Sequence, residues 1–136
     1  MRRIVWIFTL LLAGCASGYL YPVEGPLMQK SPNLAIVIKA VNTRELTTTF
    51  PDGETYRGDI SRIDPGDVAA NKSASQWDTV YGSGFFTANV LGALSRYRAH
   101  LVGGRGGAVD VEFLMREGIG KGIGIDAAGN VYKLTI

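Results

Sequence analysis

Two short segments that alternate polar and apolar residues constrain the fold of this chain more than any other feature. Residues 96–101 and 109–113 each place charged or polar side chains at every second position, and glycines fill much of the interval 103–107 between them. A period of two is typical of strands with one buried face, and a glycine-rich interval of this length is typical of a hairpin loop. The two segments therefore predict an antiparallel hairpin.

The register of this hairpin follows from closing the loop over 103–107. It sets His100 opposite Asp110 and Arg98 opposite Glu112, while the apolar residues meet on the other face. Both faces agree on one register, and a shift by one residue would turn every side chain to the wrong side. We predict cross-strand charge pairs on a solvated face.

The pair of His100 and Asp110 also resembles the base and orienting carboxylate of a hydrolase. A nucleophile is required as well, and no serine stands in a nucleophile-elbow context. Cross-strand pairing explains the same residues, so we predict no catalytic residue. With one histidine and one cysteine in the chain, we also predict no metal site and no cofactor.

A second hairpin is predicted over 46–57, with Pro51, Asp52 and Gly53 as its turn. Proline presets φ at the first turn position, and glycine takes the position of positive φ in a three-residue bulged loop. This register pairs Thr48 with Tyr56.

Glycine stands at every second residue of 118–124, an alternation typical of a strand rather than of a phosphate-binding loop, which must open a helix. Its bare face leaves a groove for an extended ligand as an alternative to close packing. Further strands are predicted at 34–39, buried on both faces, and at 131–136. Together these patterns predict a mainly β fold: an antiparallel sandwich or small open barrel of about six to eight strands, with one or two short helices.

The interval 63–94 is the least determined. Asp67 or Gly66 is placed to cap a short helix over 68–72, 77–81 reads as a strand or loop, and 85–94 is ambiguous. Trp77 and Tyr81 have two interpretations: they plug one end of the core, or they contact a partner from an exposed loop.

The beginning of the chain predicts export. Arg2 and Arg3 precede an apolar run over 4–14, too short to span a membrane and typical of a secretory signal peptide. The run ends in Leu-Ala-Gly followed by Cys15, which resembles the lipobox of bacterial lipoproteins. The resemblance implies that the peptide is cut before Cys15, which then carries three acyl chains, enough for stable anchoring. The residue after Cys15 is Ala16 rather than an aspartate, and by the same resemblance this implies transport to the outer membrane, facing the periplasm.

Three segments follow from these patterns: a lipoprotein signal peptide at 1–14, a lipidated tether at 15–33 that contains three of the five prolines, and a single β-rich periplasmic domain at 34–136. Without Arg2 and Arg3, twelve basic residues stand against twelve acidic ones. A neutral chain lacks the basic excess of a nucleic-acid-binding protein, so we predict no nucleic-acid partner.

The order of the turn at 51–54, the glycine-rich 101–107, and the segments 111–113, 122–124 and 129–132 resembles a group of small Gram-negative lipoproteins without an assigned activity. The resemblance implies a membrane partner through lipidated Cys15 and supplies no functional residue.

We expect a non-enzymatic binding or structural protein of the cell envelope, whose partner is an envelope protein or a cell-wall component. Two alternatives stay open. One is a hydrolase acting on peptidoglycan or lipid, although Asp64, Asp67 and Asp78 are typical turn formers and receive no role. The other is an inhibitor of a cell-wall-degrading enzyme that uses the segment 77–84 as a plug.

Overall fold

Eight antiparallel strands form a closed barrel, in which each strand pairs with its neighbours in sequence and the last pairs with the first. A computed structural model describes residues 17–42 and 44–136. The strands are β1 (Ser17–Glu24), β2 (Ile36–Val41), β3 (Glu45–Thr49), β4 (Thr55–Arg62), β5 (Arg96–Gly103), β6 (Ala108–Arg116), β7 (Ile119–Asp126) and β8 (Val131–Thr135). The predicted mainly β, antiparallel fold is confirmed. Of the two architectures considered, the chain adopts the barrel, and the barrel is closed rather than open.

Short helical segments lie in two of the connections. The first, α1 (Pro26–Lys30), joins β1 to β2, and the connection from β4 to β5 contains a 3₁₀ segment (Val68–Ser73), α2 (Ala74–Tyr81) and a π-helical turn (Phe86–Val90). The Asp67 carboxylate accepts a hydrogen bond from the Ala69 amide at 3.1 Å, which confirms the predicted cap. Within the described part of the chain, no helix is long and apolar enough to cross a membrane.

Both predicted hairpins are confirmed with their registers. Thr48 pairs with Tyr56 across β3 and β4, and His100 pairs with Asp110 across β5 and β6. The threonine-rich and charged faces point outward. The apolar faces point into the barrel, because an eight-stranded barrel is just wide enough to be filled by side chains.

Alternate residues of every strand except β7 fill the barrel interior with apolar side chains. Its buried members are Leu20, Ile36, Ile38, Leu46, Tyr56, Ala99, Leu101, Val109, Val111, Phe113, Tyr132 and Leu134. The glycine face of β7 also points inward, and a Cβ at Gly122 would collide with the carbonyl oxygen of Glu112. The alternative of an open glycine groove for a ligand is therefore wrong, because neighbouring strands and core side chains occupy that space.

The predicted tether is corrected over its described part. Ser17–Glu24 is a strand that pairs with both β2 and β8 and closes the barrel. Proline is tolerated there because Pro22 borders a bulge, and Pro26 occupies the first turn of α1, where its missing amide has no helical partner. The β domain therefore includes the strand Ser17–Glu24 and does not begin at residue 34.

Two local predictions are wrong. The segment 77–81 is helical rather than a strand or loop, because its aromatic side chains pack on the outer wall of the barrel. Strand β2 is buried on one face only, and Val37 and Lys39 are exposed on the other. The ambiguous 85–94 forms the π-helical turn and then an irregular segment in which Leu94 is exposed.

The barrel has two unlike ends. Because the strands run alternately up and down, the connections β1–β2, β3–β4, β5–β6 and β7–β8 meet at one end. We call this the cleft end. At the opposite end lie Ser17, the last strand's C-terminus and the connections β2–β3, β4–β5 and β6–β7, and we call it the N-terminal end.

Candidate binding cleft

A cleft of about 530 Å³ opens at the cleft end of the barrel. Its size lies within the range of small-molecule and peptide pockets, and it combines apolar and aromatic walls with a few polar groups. It is bounded by α1 on one side and by the β3–β4 and β7–β8 connections on the others. The lining residues are Pro26, Leu27, Lys30, Phe50, Pro51, Asp52, Tyr56, Asp126, Ala128, Asn130 and Tyr132.

Glu54 holds two connections of the cleft end together. One carboxylate oxygen accepts a hydrogen bond from the Tyr56 hydroxyl at 2.9 Å. The other accepts from the backbone amides of Arg105 and Gly107, at 2.8 and 3.2 Å. Hydrogen bonds hold the pKa of Glu54 below its usual value. The largest effect comes from the Tyr56 hydroxyl and the next from the Arg105 amide. Glu54 is therefore an ionised clamp between the β3–β4 and β5–β6 connections.

Asp126 likewise holds backbone amides in place, here those of the β7–β8 connection that follows it. Its carboxylate accepts hydrogen bonds from the backbone amides of Ala128 and Asn130, both at 3.0 Å, and from the Tyr132 hydroxyl at 2.7 Å. The Asn130 side chain in turn accepts from the Leu27 amide at 2.8 Å and so fixes α1 beside the cleft. The wall of the cleft is therefore held in place by hydrogen bonds that backbone amides donate to side-chain oxygens.

Three aromatic rings form the floor. Phe50 lies 4.7 Å from Tyr56 and 5.8 Å from Tyr132, measured between ring centroids. Burial, followed by the hydrogen bond to Glu54, raises the pKa of Tyr56 to about 12. Burial and the hydrogen bond to Asp126 raise the pKa of Tyr132 as well. Both hydroxyls stay protonated at neutral pH and donate hydrogen bonds to Glu54 and Asp126.

We expect the free energy of unfolding to fall as the pH rises from about 10 to about 12. Tyrosine ionises near pH 10 in an unfolded chain. In the folded protein the pKa is about 12 for Tyr56 and, because of burial, also about 12 for Tyr81. The unfolded chain therefore loses protons first and is favoured across this interval. Urea unfolding of the wild type and of the double variant Tyr56→Phe, Tyr81→Phe at several pH values measures the slope. Equal slopes for the two proteins would contradict the expectation.

The cleft has the chemistry of a binding surface. Phe50 and Leu27 offer partly buried apolar contact, and Lys30 and Asp52 place one charge of each sign on exposed positions. The carboxylates of Glu54 and Asp126 already accept hydrogen bonds from backbone amides. A ligand is thus offered aromatic and aliphatic contacts with charged groups at the edge.

Trp77 lies far from this cleft, on the outer wall of the barrel. It is 0% exposed, and its ring is stacked on Phe85 with 5.9 Å between centroids. Its indole nitrogen donates a hydrogen bond to Glu112 at 2.9 Å. The alternative of Trp77 as a partner contact is therefore wrong: it is a core residue, although of a second core between α2 and the barrel wall rather than of the barrel interior.

Tyr81 belongs to the same outer cluster. It is partly buried, and its hydroxyl lies 2.7 Å from the carbonyl oxygen of Gly122 on β7 and 3.2 Å from that of Leu134 on β8. Its ring is stacked on Phe85 at 4.7 Å. Tyr81 thus fastens α2 to two strands, and the segment 77–84 presents no protruding aromatic plug.

Of the charged residues predicted for the solvated face, some are exposed on the outer wall and one is buried under the helical segment. His100 and Asp110 form an exposed pair with 2.6 Å between Nδ1 and Oδ1, as the register predicts. Arg96, predicted to be solvated, is only 3% exposed beneath the 3₁₀ segment and donates to Glu112. Arg98 faces Glu112 in register, but its ion pair is with Asp67, at 3.9 Å.

The remaining predicted site residue, Cys15, lies outside the described residues. Among residues 17–42 and 44–136, no group of three or more histidine, cysteine, aspartate or glutamate side chains is placed to hold a metal ion.

Sequence reasoning missed the cleft because its residues come from three connections that are distant in the chain, together with the strands beside them. Phe50 follows β3 and Tyr132 lies in β8, and only barrel closure brings their rings together. The available local signal was the run from Asp126 to Asn130, whose acidic and amide side chains are typical of a turn that bonds its own backbone.

Comparison of the chain with family models, with curated proteins and with solved structures found no match.

Proposed function

We propose that the chain is an outer-membrane lipoprotein that faces the periplasm and binds an envelope protein or a cell-wall component through its cleft, without catalysing a reaction. One observation carries this proposal. The first described residue, Ser17, and the cleft lie at opposite ends of the barrel. A barrel anchored through Cys15 would present its cleft away from the membrane, toward periplasmic partners.

The composition of the cleft supports binding rather than catalysis. Its two acidic clamps, Glu54 and Asp126, bind backbone amides and tyrosine hydroxyls. The surfaces left for a ligand are Phe50, Leu27 and the charged side chains of Lys30 and Asp52. Aromatic and aliphatic contact with charges at the rim suits an extended peptide or a glycan strand, which are the materials of the envelope.

In-cell photocrosslinking tests the proposal. A photoreactive residue is introduced at Asp52, which is exposed on the rim of the cleft, and in a matched control at Asp59, which is exposed on the outer wall. We expect a discrete adduct from position 52 and none of that mass from position 59. Mass spectrometry identifies the captured protein or cell-wall fragment.

The same cells test the anchor. Replacing Cys15 by serine removes the only thiol and should move the protein from the membrane fraction to the soluble fraction. Equal fractionation of Cys15→Ser and wild type would reject the anchor. Identical adducts from positions 52 and 59, or none from either, would reject the cleft as the binding site.

A further inference from the structure

We propose that the N-terminal end of the barrel docks on the phospholipid surface that carries the anchor, with its apolar rim in contact with the lipid. The inference rests on the proposed lipidation of Cys15 and extends it. The membrane would then be a second contact surface of the folded domain, in addition to the acyl chains.

The first observation is an apolar mouth. A depression of about 260 Å³ opens at the N-terminal end of the barrel, and every side chain that lines it is aliphatic, aromatic or a methionine. Ala40, Ile60, Tyr97, Met115 and Ile136 are among them, and they lie near this end of β2, β4, β5 and β6 and directly after β8. At the cleft end, by contrast, the corresponding layer contains Glu54 and Asp126 and their hydrogen bonds.

The second observation is a rim of exposed large apolar side chains around this mouth. Leu94 is 73% exposed, Ile119 is 68% exposed and Val41 is 41% exposed. Val41 ends β2, Leu94 lies in the β4–β5 connection and Ile119 begins β7, so all three belong to this end of the barrel. Exposed apolar residues at the end that also has an apolar depression favour an interaction surface over scattered surface residues.

The third observation is the position of Cys15, which indicates that the bilayer contacts this end. Cys15 stands two residues before Ser17, which begins β1 at this end and pairs with Lys39. Two residues of chain span at most about 7 Å. Because the segment predicted as a tether is a barrel strand, acyl chains on Cys15 would emerge at the rim itself, and the bilayer is the surface that the rim must meet.

Charged side chains of both signs lie at this end. Among the exposed or partly exposed ones are Arg44, Arg62, Arg116, Glu45, Asp64 and Glu117. Arginines can extend along apolar surface to reach lipid phosphates. Because charges of both signs are present there, docking would depend on apolar contact, and we expect it to be insensitive to salt.

Site-directed spin labelling of the lipidated protein tests the proposal. Nitroxides are attached at Leu94→Cys and Ile119→Cys on the rim, and at Gly104→Cys, an exposed position at the cleft end where a side chain meets open space. The proteins are placed in vesicles of phosphatidylethanolamine and phosphatidylglycerol. We expect labels at 94 and 119 to be relaxed more by oxygen than by a water-soluble nickel complex, with the opposite order at 104 and no change in high salt.

The outcomes separate the two proposals. Labels at 94 and 119 that are as water-accessible as the label at 104, on protein that still sediments with vesicles, would overturn docking and leave the anchor intact. Protein whose Cys15 carries no lipid and which stays in solution would overturn both. Thermal unfolding checks each variant, and Val41→Cys replaces any that unfolds early.

Discussion

Replacing Glu112 by alanine is expected to destabilise the protein by about 3–5 kcal/mol, because it leaves a buried guanidinium without its counter-ion. Arg96 is 3% exposed and Glu112 13%. The Glu112 carboxylate accepts from Arg96 Nε at 2.7 Å and from the Trp77 indole nitrogen at 2.9 Å. The same carboxylate therefore joins β5, β6 and α2, and its loss removes two hydrogen bonds in addition to the ion pair.

The chain contains a matched control two residues away on the same strand. Asp110 is 68% exposed and pairs with His100 at 2.6 Å. An exposed pair contributes little, so Asp110→Ala should change the free energy of unfolding by less than about 0.5 kcal/mol. Urea unfolding of both variants at neutral pH makes the comparison. A Glu112→Ala variant as stable as Asp110→Ala would mean that Arg96 reaches water and that the helical cover is not closed.

Replacing Trp77 by alanine is expected to cost about 3–5 kcal/mol, the range for truncating a fully buried large aromatic side chain. Among the described residues Trp77 is the largest fully buried side chain, and its ring fills the space between α2 and the barrel wall, in contact with a cluster that includes Phe86, Val90 and Ile123. The substitution leaves a cavity and also removes a donor from Glu112. The measured quantity is the midpoint and slope of urea unfolding.

Tyr81→Phe is a milder variant in the same cluster, because it removes a hydroxyl and leaves the stacked ring. We expect a loss of about 1 kcal/mol, the usual net contribution of one hydrogen bond. A Trp77→Ala protein with wild-type stability and altered capture of a partner would instead restore the interpretation of Trp77 as a surface contact. We expect the free energy of unfolding of Trp77→Ala to be well below that of Tyr81→Phe, and that of Tyr81→Phe to be slightly below that of the wild type.

The hairpins could be predicted because their information is local. In β5 and β6 the alternation of residues and the length of the glycine-rich loop fix one register, and the structure has that register at every pair named. In β3 and β4 the turn residues at 51–53 do the same. Loop geometry and the two-residue period act over a few residues, so no distant contact is needed to decide them.

The helical segment and the cleft could not be predicted in this way. Residues 77–81 have no strong local preference, and α2 exists because Trp77 and Tyr81, four residues apart, both find partners on the outer wall. That contact also buries Arg96, which alternation alone assigns to water. The alternation of a strand gives its two faces but does not reveal whether the outer one will be covered.

The sequence by itself determined the antiparallel β class, the two hairpin registers and the Asp67 cap, since each depends on neighbours in the chain or across one turn. Only the tertiary structure decided that β1 belongs to the barrel and that the cleft forms where it does. Closure requires the first strand to pair with the last, more than 100 residues away along the chain. Such pairing satisfies the backbone groups of both edge strands at once, a gain that no local pattern encodes.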